Sequence, residues 1–387
     1  METTARRIRD LPEVAKWPVT TVSLPKSKLN VIVRSQPLAE DKPTVLFLPD
    51  VAISAELCFE KYINDPVIEP LLAQFNLVLL NYPGMAAKET GENQNMDPQK
   101  IPSFTNLCAV VQEYCDVALL NGCIGFGIGM GATILMNLET LNNGSFAGLV
   151  LVAASPAGET GETVQELRAG YADKEFDQVY VQRWVERRWL AETKTHVLSS
   201  AHRSTYMRQF SSFRPPALTY AALHSYLSRP SIDHSIDCPV LYIHPLDADD
   251  CYVYPLWDAA ELRDAMLVGV RGGVLCLDFN ANETAFGLSA LLQAVYDDFN
   301  CTALNEVLLP RTEQAVNRVF RTATGSLMSV RLRSYLDHVY KAHELAGSDI
   351  AKAEFRLNLV ESDWEGARAI LDESIGGWWT DSATHEG

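Results

Sequence analysis

The chain has 387 residues, too many for one minimal domain and enough for one large domain or two ordinary ones. Its 47% apolar and 21% charged residues exclude wholesale disorder. A formal net charge of -17, from 49 acidic against 32 basic residues, opposes phosphate backbones and anionic lipid, so nucleic acid is not an expected partner.

Residues 1–18 read as an arm whose arginines are not followed by the apolar stretch of a secretory signal. Residues 20–24 and 29–33 read as a hairpin around Pro25-Lys26-Ser27-Lys28. A buried strand over 44–48 is followed by helical stretches near 57–64 and 67–74, then by a strand over 77–80 that closes at Asn81-Tyr82-Pro83-Gly84. Helical spacing over 103–120 starts from Ser103 as an N-cap. A strand over 123–126, a helix over 130–141 and a strand over 148–153 complete the first half. Strands without polar alternation, separated by helices, define a parallel sheet buried on both faces, here with an antiparallel N-terminal edge.

Helical segments without a convincing strand fill 158–233. Strand patterns resume at 239–243 and 265–270, and a helix follows over 284–298 with Leu288, Leu291, Leu292, Val295 and Phe299 on one side. Further helices are expected over 312–321, 326–346, 350–360 and 364–374. The resulting organisation is α/β: an arm 1–18, a core made of 19–157 and 236–300, a helical cap insert 158–235, a helical extension 301–375 and a flexible tail 376–387. From 117 to 138 no residue is charged, but Asn121-Gly122 and four further glycines break that run into strand, turn and helix rather than a membrane span. The eight cysteines sit mostly in apolar stretches without a Cys-x-x-Cys, which reads as reduced thiols in a cytoplasmic protein.

The run Cys123-Ile124-Gly125-Phe126-Gly127-Ile128-Gly129-Met130-Gly131-Ala132 joins a buried strand to a helix through a tight glycine turn. Two chemistries use such a turn. Dinucleotide binding needs an acidic residue at the end of the next strand to hold the ribose, and the next strand here ends Val152-Ala153-Ala154-Ser155-Pro156. The nucleophile elbow Gly-x-Ser-x-Gly fits better, because a hairpin, two strands and their helices precede it. Gly127, Gly129 and Gly131 then take the three fixed positions, and Gly129, which has no attacking atom, stands where the nucleophile belongs. Asp247 is placed for the acid, but no histidine occurs between His244 and His338 to serve as base. A triad lacking nucleophile and base cannot activate an acyl acceptor.

The chain resembles the NDRG (N-myc downstream-regulated) family, non-catalytic proteins of the α/β-hydrolase fold. The resemblance rests on Phe47-Leu48-Pro49-Asp50-Val51, Asn81-Tyr82-Pro83-Gly84-Met85, the elbow over 125–135, Gly148-Leu149-Val150-Leu151, Ser225-Tyr226-Leu227-Ser228-Arg229, Cys238-Pro239-Val240-Leu241 and Gly272-Gly273. It departs from that family at Pro49, where a histidine is common, at Ala52, where a glycine is usual, and in its helical C-terminal region. The resemblance implies a divergent member without catalysis or cofactor, acting through other proteins in signalling, stress response, differentiation or trafficking. Any membrane association would be peripheral and made through those partners.

On this reading Asp50, Gly127, Gly129, Met130, Gly131 and Asp247 form a vestigial site. Ser155 is either a displaced nucleophile or a turn serine, and the turn is preferred because no histidine is at hand. Cys123 reads as an inert strand thiol, and His244 as a hydrogen-bonded structural residue rather than a base or ligand. His196 and His202 have no Cys, Asp or Glu at metal spacing, so no metal is assigned. Arg183, Trp184, Arg187, Arg188 and Trp189 lie on adjoining faces of one helix of the insert. They either pack on the sheet or offer a partner surface. An active hydrolase with a non-standard constellation and a small-ligand sensor remain the alternatives.

Overall fold

The computed structural model describes residues 13–84, 97–155, 216–232, 236–245, 265–270, 273–279, 281–296 and 319–321. The strands are β1 (Val19–Ser23), β2 (Asn30–Ser35), β3 (Thr44–Leu48), β4 (Asn76–Asn81), β5 (Cys123–Ile128), β6 (Phe146–Val152), β7 (Val240–Pro245), β8 (Ala265–Val270) and β9 (Val319–Arg321). The helices are α1 (Ala55–Ile63), α2 (Glu69–Leu72), α3 (Phe104–Val117), α4 (Met130–Leu141), α5 (Pro216–Leu227) and α6 (Ala281–Val295). None of the described helices is long and apolar enough to cross a membrane.

The strands form one sheet in the order β1-β2-β4-β3-β5-β6-β7-β8-β9. β1, β2 and β4 pair antiparallel, the strands from β4 across to β8 pair parallel, and β9 returns antiparallel on β8. This is the α/β-hydrolase fold, with the antiparallel N-terminal edge that the hairpin pattern predicts. Every residue of β4 and β5 is buried, which explains their unbroken apolar runs. From β3 the chain crosses to β4 on one side and returns to β5 on the other, so the C-terminal ends of β3 and β5 flank a topological switch point.

The expected helix over 312–321 is corrected at its end, because Val319, Phe320 and Arg321 are a strand. Val319 pairs with Val268 and Arg321 with Met266. The open edge of β8 offers unpaired backbone donors and acceptors, and Val and Phe suit a strand, so tertiary pairing outranks a helical spacing. The helix expected over 284–298 begins earlier, at Ala281, and Leu288, Leu291 and Leu292 are buried as expected. Gly287 on that helix lets it close on Leu241 and Val268.

The N-terminal arm is docked over its described residues. Val14 and Trp17 are buried, and Arg34 of β2 reaches back to them. Arg34 Nη1 donates to the carbonyls of Ala15 (2.8 Å) and Trp17 (3.3 Å), while its Nε donates to Glu56 Oε1 (3.0 Å). Asn81 Nδ2 also donates to Glu56, and Asn81 Oδ1 accepts from Ala55 N, so one polar knot joins arm, β2, α1 and β4. Above it lies an aromatic cluster of Phe47, Phe59, Tyr62 and Phe126, with Phe126 centroids 5.1–5.8 Å from the other three.

Cys58, Cys108, Cys115, Cys123, Cys238 and Cys276 are buried thiols that form no disulfide. Burial pushes the Cys108 and Cys115 thiols up to about 12, and the Cys123 thiol higher still, so these sulfurs are protonated and inert at neutral pH. Of the predicted insert only α5 and its neighbours fall among the described residues. The extension beyond 301 does so only in β9, and the tail 376–387 lies outside them.

Candidate functional site

The elbow is Gly129, at φ 52° and ψ -110°, a combination that L side chains hold only under strain. Its N–H donates to Val152 O (2.8 Å), and its carbonyl accepts from Thr133 N (3.0 Å) and Thr133 Oγ1 (2.9 Å). The flanking glycines are steric requirements. A Cβ on Gly127 would stand 2.3 Å from Ala132 N, and one on Gly131 would stand 2.2 Å from Leu48 O. The turn that presents a nucleophile in a hydrolase is therefore built here in full around a residue with no reactive atom.

In such an elbow the N–H after the nucleophile helps to hold the oxyanion of acyl transfer. Here that donor is Met130 N, and Asp50 Oδ1 accepts from it at 2.8 Å. Asp50 follows β3 across the switch point and is fully buried, as is Met130. No side chain of its own segment caps α4, so Asp50 acts as a tertiary N-cap at the positive end of the helix. With this bond made, the Met130 N–H already has an acceptor. Tyr82 Oη donates to Pro49 O (3.1 Å) and fixes the loop that carries Asp50.

Ala52, in that loop, sits at φ 58°. A glycine would meet no conformational penalty there, and the alanine tolerates the position only because its side chain is a single methyl. We expect Ala52→Val to lower stability by about 2 kcal/mol, while Ala52→Gly changes it by less than about 1 kcal/mol. Thermal melts of the two variants beside the parent check this, and equal midpoints for all three would contradict it.

Thr133, Ser155, Tyr226 and Arg229 surround the elbow, and the sequence pattern gave no role to three of them. Ser155 N donates to Thr133 Oγ1 (3.3 Å), and Ser155 O accepts from Arg229 Nη2 (2.9 Å). Arg229 Nη1 donates to Tyr226 O (2.9 Å), with the guanidinium 3.9 Å over the Tyr226 ring. Ser155 is thus tied through its backbone to α4 and to Arg229. Tyr226 lies near Thr133 and Phe104, and Ser225 Oγ donates to Pro102 O, so α5 roofs the elbow. A threonine within the apolar run from Ala132 to Met136 of α4, and an arginine just past α5, were the available signals for this roof.

His244 lies within β7, two strands from β5, paired with Gly269. Burial pushes its pKa down to about 4, so it is neutral at physiological pH, and its ring stacks on Tyr242. Asp247 lies outside the described residues, as do Arg183, Trp184, Arg187, Arg188, Trp189, His196 and His202. The structure brings together Asp50, Gly127, Gly129, Met130 and Gly131. Among the described residues no three His, Cys, Asp or Glu side chains approach as a metal site would require. A half-open groove of about 730 Å³ lies away from the elbow, between the hairpin turn and α3, lined by residues including Lys26, Ile101, Val110 and Asp116.

Residues 20–185 match the model of the Ndr family. Protein NDRG4 of Xenopus tropicalis is 24% identical over 143 residues, covering 37% of this chain and 34% of that protein. The NDRG-like protein of Dictyostelium discoideum is 26% identical over 112 residues, 29% of this chain and 33% of its own length. The chain thus spans about a third of the length of the relatives it matches. Among solved structures, a thermophilic esterase from Thermogutta terrifontis superposes with a TM-score of 0.56 at 14% identity, over 72% of this chain and 99% of that one. An esterase from Exiguobacterium antarcticum gives 0.53 at 14% identity, over 71% and 98%. At such identities the likeness is one of fold.

Proposed function

We propose, from the premise that this chain belongs to the Ndr family through residues 20–185, that it is a catalytically silent α/β-hydrolase-fold protein that works by binding other proteins. The observation that carries the silence is the Asp50 bond to Met130 N at an elbow whose central residue is Gly129. Acyl transfer needs a nucleophile, a base and a free oxyanion donor. The first is missing, the third is occupied, and the one histidine at the end of β7 is buried within the sheet. The likeness to esterases carries the fold and not their chemistry.

The binding role is that of a signalling, adaptor or trafficking-associated protein, with Arg183, Trp184, Arg187, Arg188 and Trp189 of the insert as a partner surface. A cytoplasmic setting fits the buried cysteines that form no disulfide. Nucleic acid is not among the proposed partners, because the charge of -17 repels it.

The test is a fluorophosphonate probe and a panel of short-chain p-nitrophenyl esters. Neither the parent nor Gly129→Ser should be labelled or turn over ester, because a serine at the elbow still lacks a base. Ester hydrolysis by the parent that disappears in Ser155→Ala or Asp247→Asn would overturn the proposal.

A further inference from the structure

Five described residues are large, apolar and exposed, and three of them belong to one end of the molecule. Val117 is the last residue of α3, Leu119 follows its C-cap, and Leu141 is the last residue of α4. They are 47%, 82% and 68% exposed. The two loops are stitched side by side: Gly122 N donates to Ser145 O (3.1 Å), and Asn142 Nδ2 donates to Gln112 Oε1 (3.4 Å). This end carries the N-terminal ends of β5 and β6, opposite the elbow.

Leu119 adds a second, independent sign. α3 ends in a Schellman turn, in which Leu120 N donates to Cys115 O (2.9 Å). The residue before it must be left-handed, a place usually taken by glycine, and here Leu119 holds φ 55°. A branched apolar side chain is thus kept in a strained conformation and turned almost wholly into solvent. The turn needs the left-handed backbone but not a leucine: glycine would hold it without strain, and the exposed side chain adds nothing to the core.

The charge around the patch selects the occupant. Neither α3 nor α4 has a basic residue in its last turn, so both helix C-termini present uncompensated negative ends. Asp116 and the exposed Asp237, which accepts from Asn143 Nδ2, add two carboxylates. Among the described residues, Lys26, 3.3 Å from Asp116, is the cation paired with one of them. A second copy of a chain with a net charge of -17 is repelled, and so is an anionic lipid surface.

We propose that Val117, Leu119 and Leu141 form a docking surface for a basic amphipathic helix of a partner protein. Its apolar face covers the leucines, and its Lys or Arg residues meet the helix C-termini and the two carboxylates. This deepens the binding role proposed above and rests on it. Ester turnover by the parent protein would sink that role, whereas the experiment below can fail while the protein stays catalytically silent.

The experiment is fluorescence anisotropy with the full chain and a labelled 14-residue Leu/Lys model helix, beside the same helix with Glu in place of Lys. The Lys helix should bind the parent at least about tenfold more tightly than the Glu helix. Leu119→Gly and Leu141→Gln, which leave every charge in place, should each weaken binding by about tenfold, one buried leucine being worth about that factor. Leu119→Gly should do so without lowering the melting midpoint, since glycine suits the left-handed position. Equal binding by parent and both variants would assign the peptide to diffuse attraction and overturn the proposal. So would a dimer, seen by sedimentation, that Leu119→Gly dissolves, because it would make a second copy the occupant.

Discussion

Gly131→Ala should lower stability by about 3 kcal/mol, seen as a fall of roughly 6 °C or more in the melting midpoint. The added Cβ would stand 2.2 Å from Leu48 O and 2.6 Å from Leu48 C, so the collision is with backbone rather than with a side chain able to swing away. Relief requires α4 to retreat from the end of β3. That motion is opposed on three sides. Gly127 packs directly on the backbone of Ala132, Gly129 N–H is bonded to Val152 O, and Asp50 holds Met130 N. Gly125→Ala is the internal control. The three atoms nearest its Cβ are methyl ends of Leu135 and Leu149, at 2.7–3.1 Å, and it should cost about 1–2 kcal/mol. If the two alanines cost the same, the elbow is not the rigid joint described here.

Arg34→Met should cost about 3–4 kcal/mol, through the charge it leaves behind as much as through the bonds it removes. The side chains of Arg34 and Glu56 are 5% and 12% exposed, so their ion pair is desolvated. Without the guanidinium, Glu56 keeps only Asn81 among the partners described above, and the carbonyls of Ala15 and Trp17 lose their donor. The arm should then lift, and trypsin should cut after Lys16 faster than in the parent. Arg34→Met combined with Glu56→Met should cost less than Arg34→Met alone, since no orphan carboxylate remains. A double variant no better than the single one would show that the carbonyl contacts to the arm carry the stabilisation.

Both effects come from contacts between residues far apart in the sequence, and this marks where sequence reading ends. The elbow glycines could be placed by spacing, because a strand, a turn and a helix are local and the motif fixes their order. That Gly131 faces Leu48, 83 positions earlier in the chain, follows only from the crossing of β3 and β5 at the switch point. Asp50 stood out within the resemblance, but its bond to Met130 N could not be read from either segment alone. Thr133, Tyr226 and Arg229 escaped notice as a group because they meet through the return of α5 over the elbow. The end of the helix expected over 312–321 failed for a related reason: residues 319–321 answer the open edge of β8, a partner that periodicity cannot see.

The α/β layering, the hairpin edge, the elbow and the lack of a nucleophile at Gly129 are all legible in residue order. Each of these is written in local residue types: apolar runs, small residues at fixed spacing, a missing hydroxyl. That Asp50 accepts from Met130 N, that the arm is tied down by a buried ion pair, and that leucines are presented at the end opposite the elbow emerges from the folded chain alone. These depend on which distant groups the sheet order brings within hydrogen-bonding or van der Waals distance. Burial and charge act through such distances, and they exist only once the strands are laid side by side.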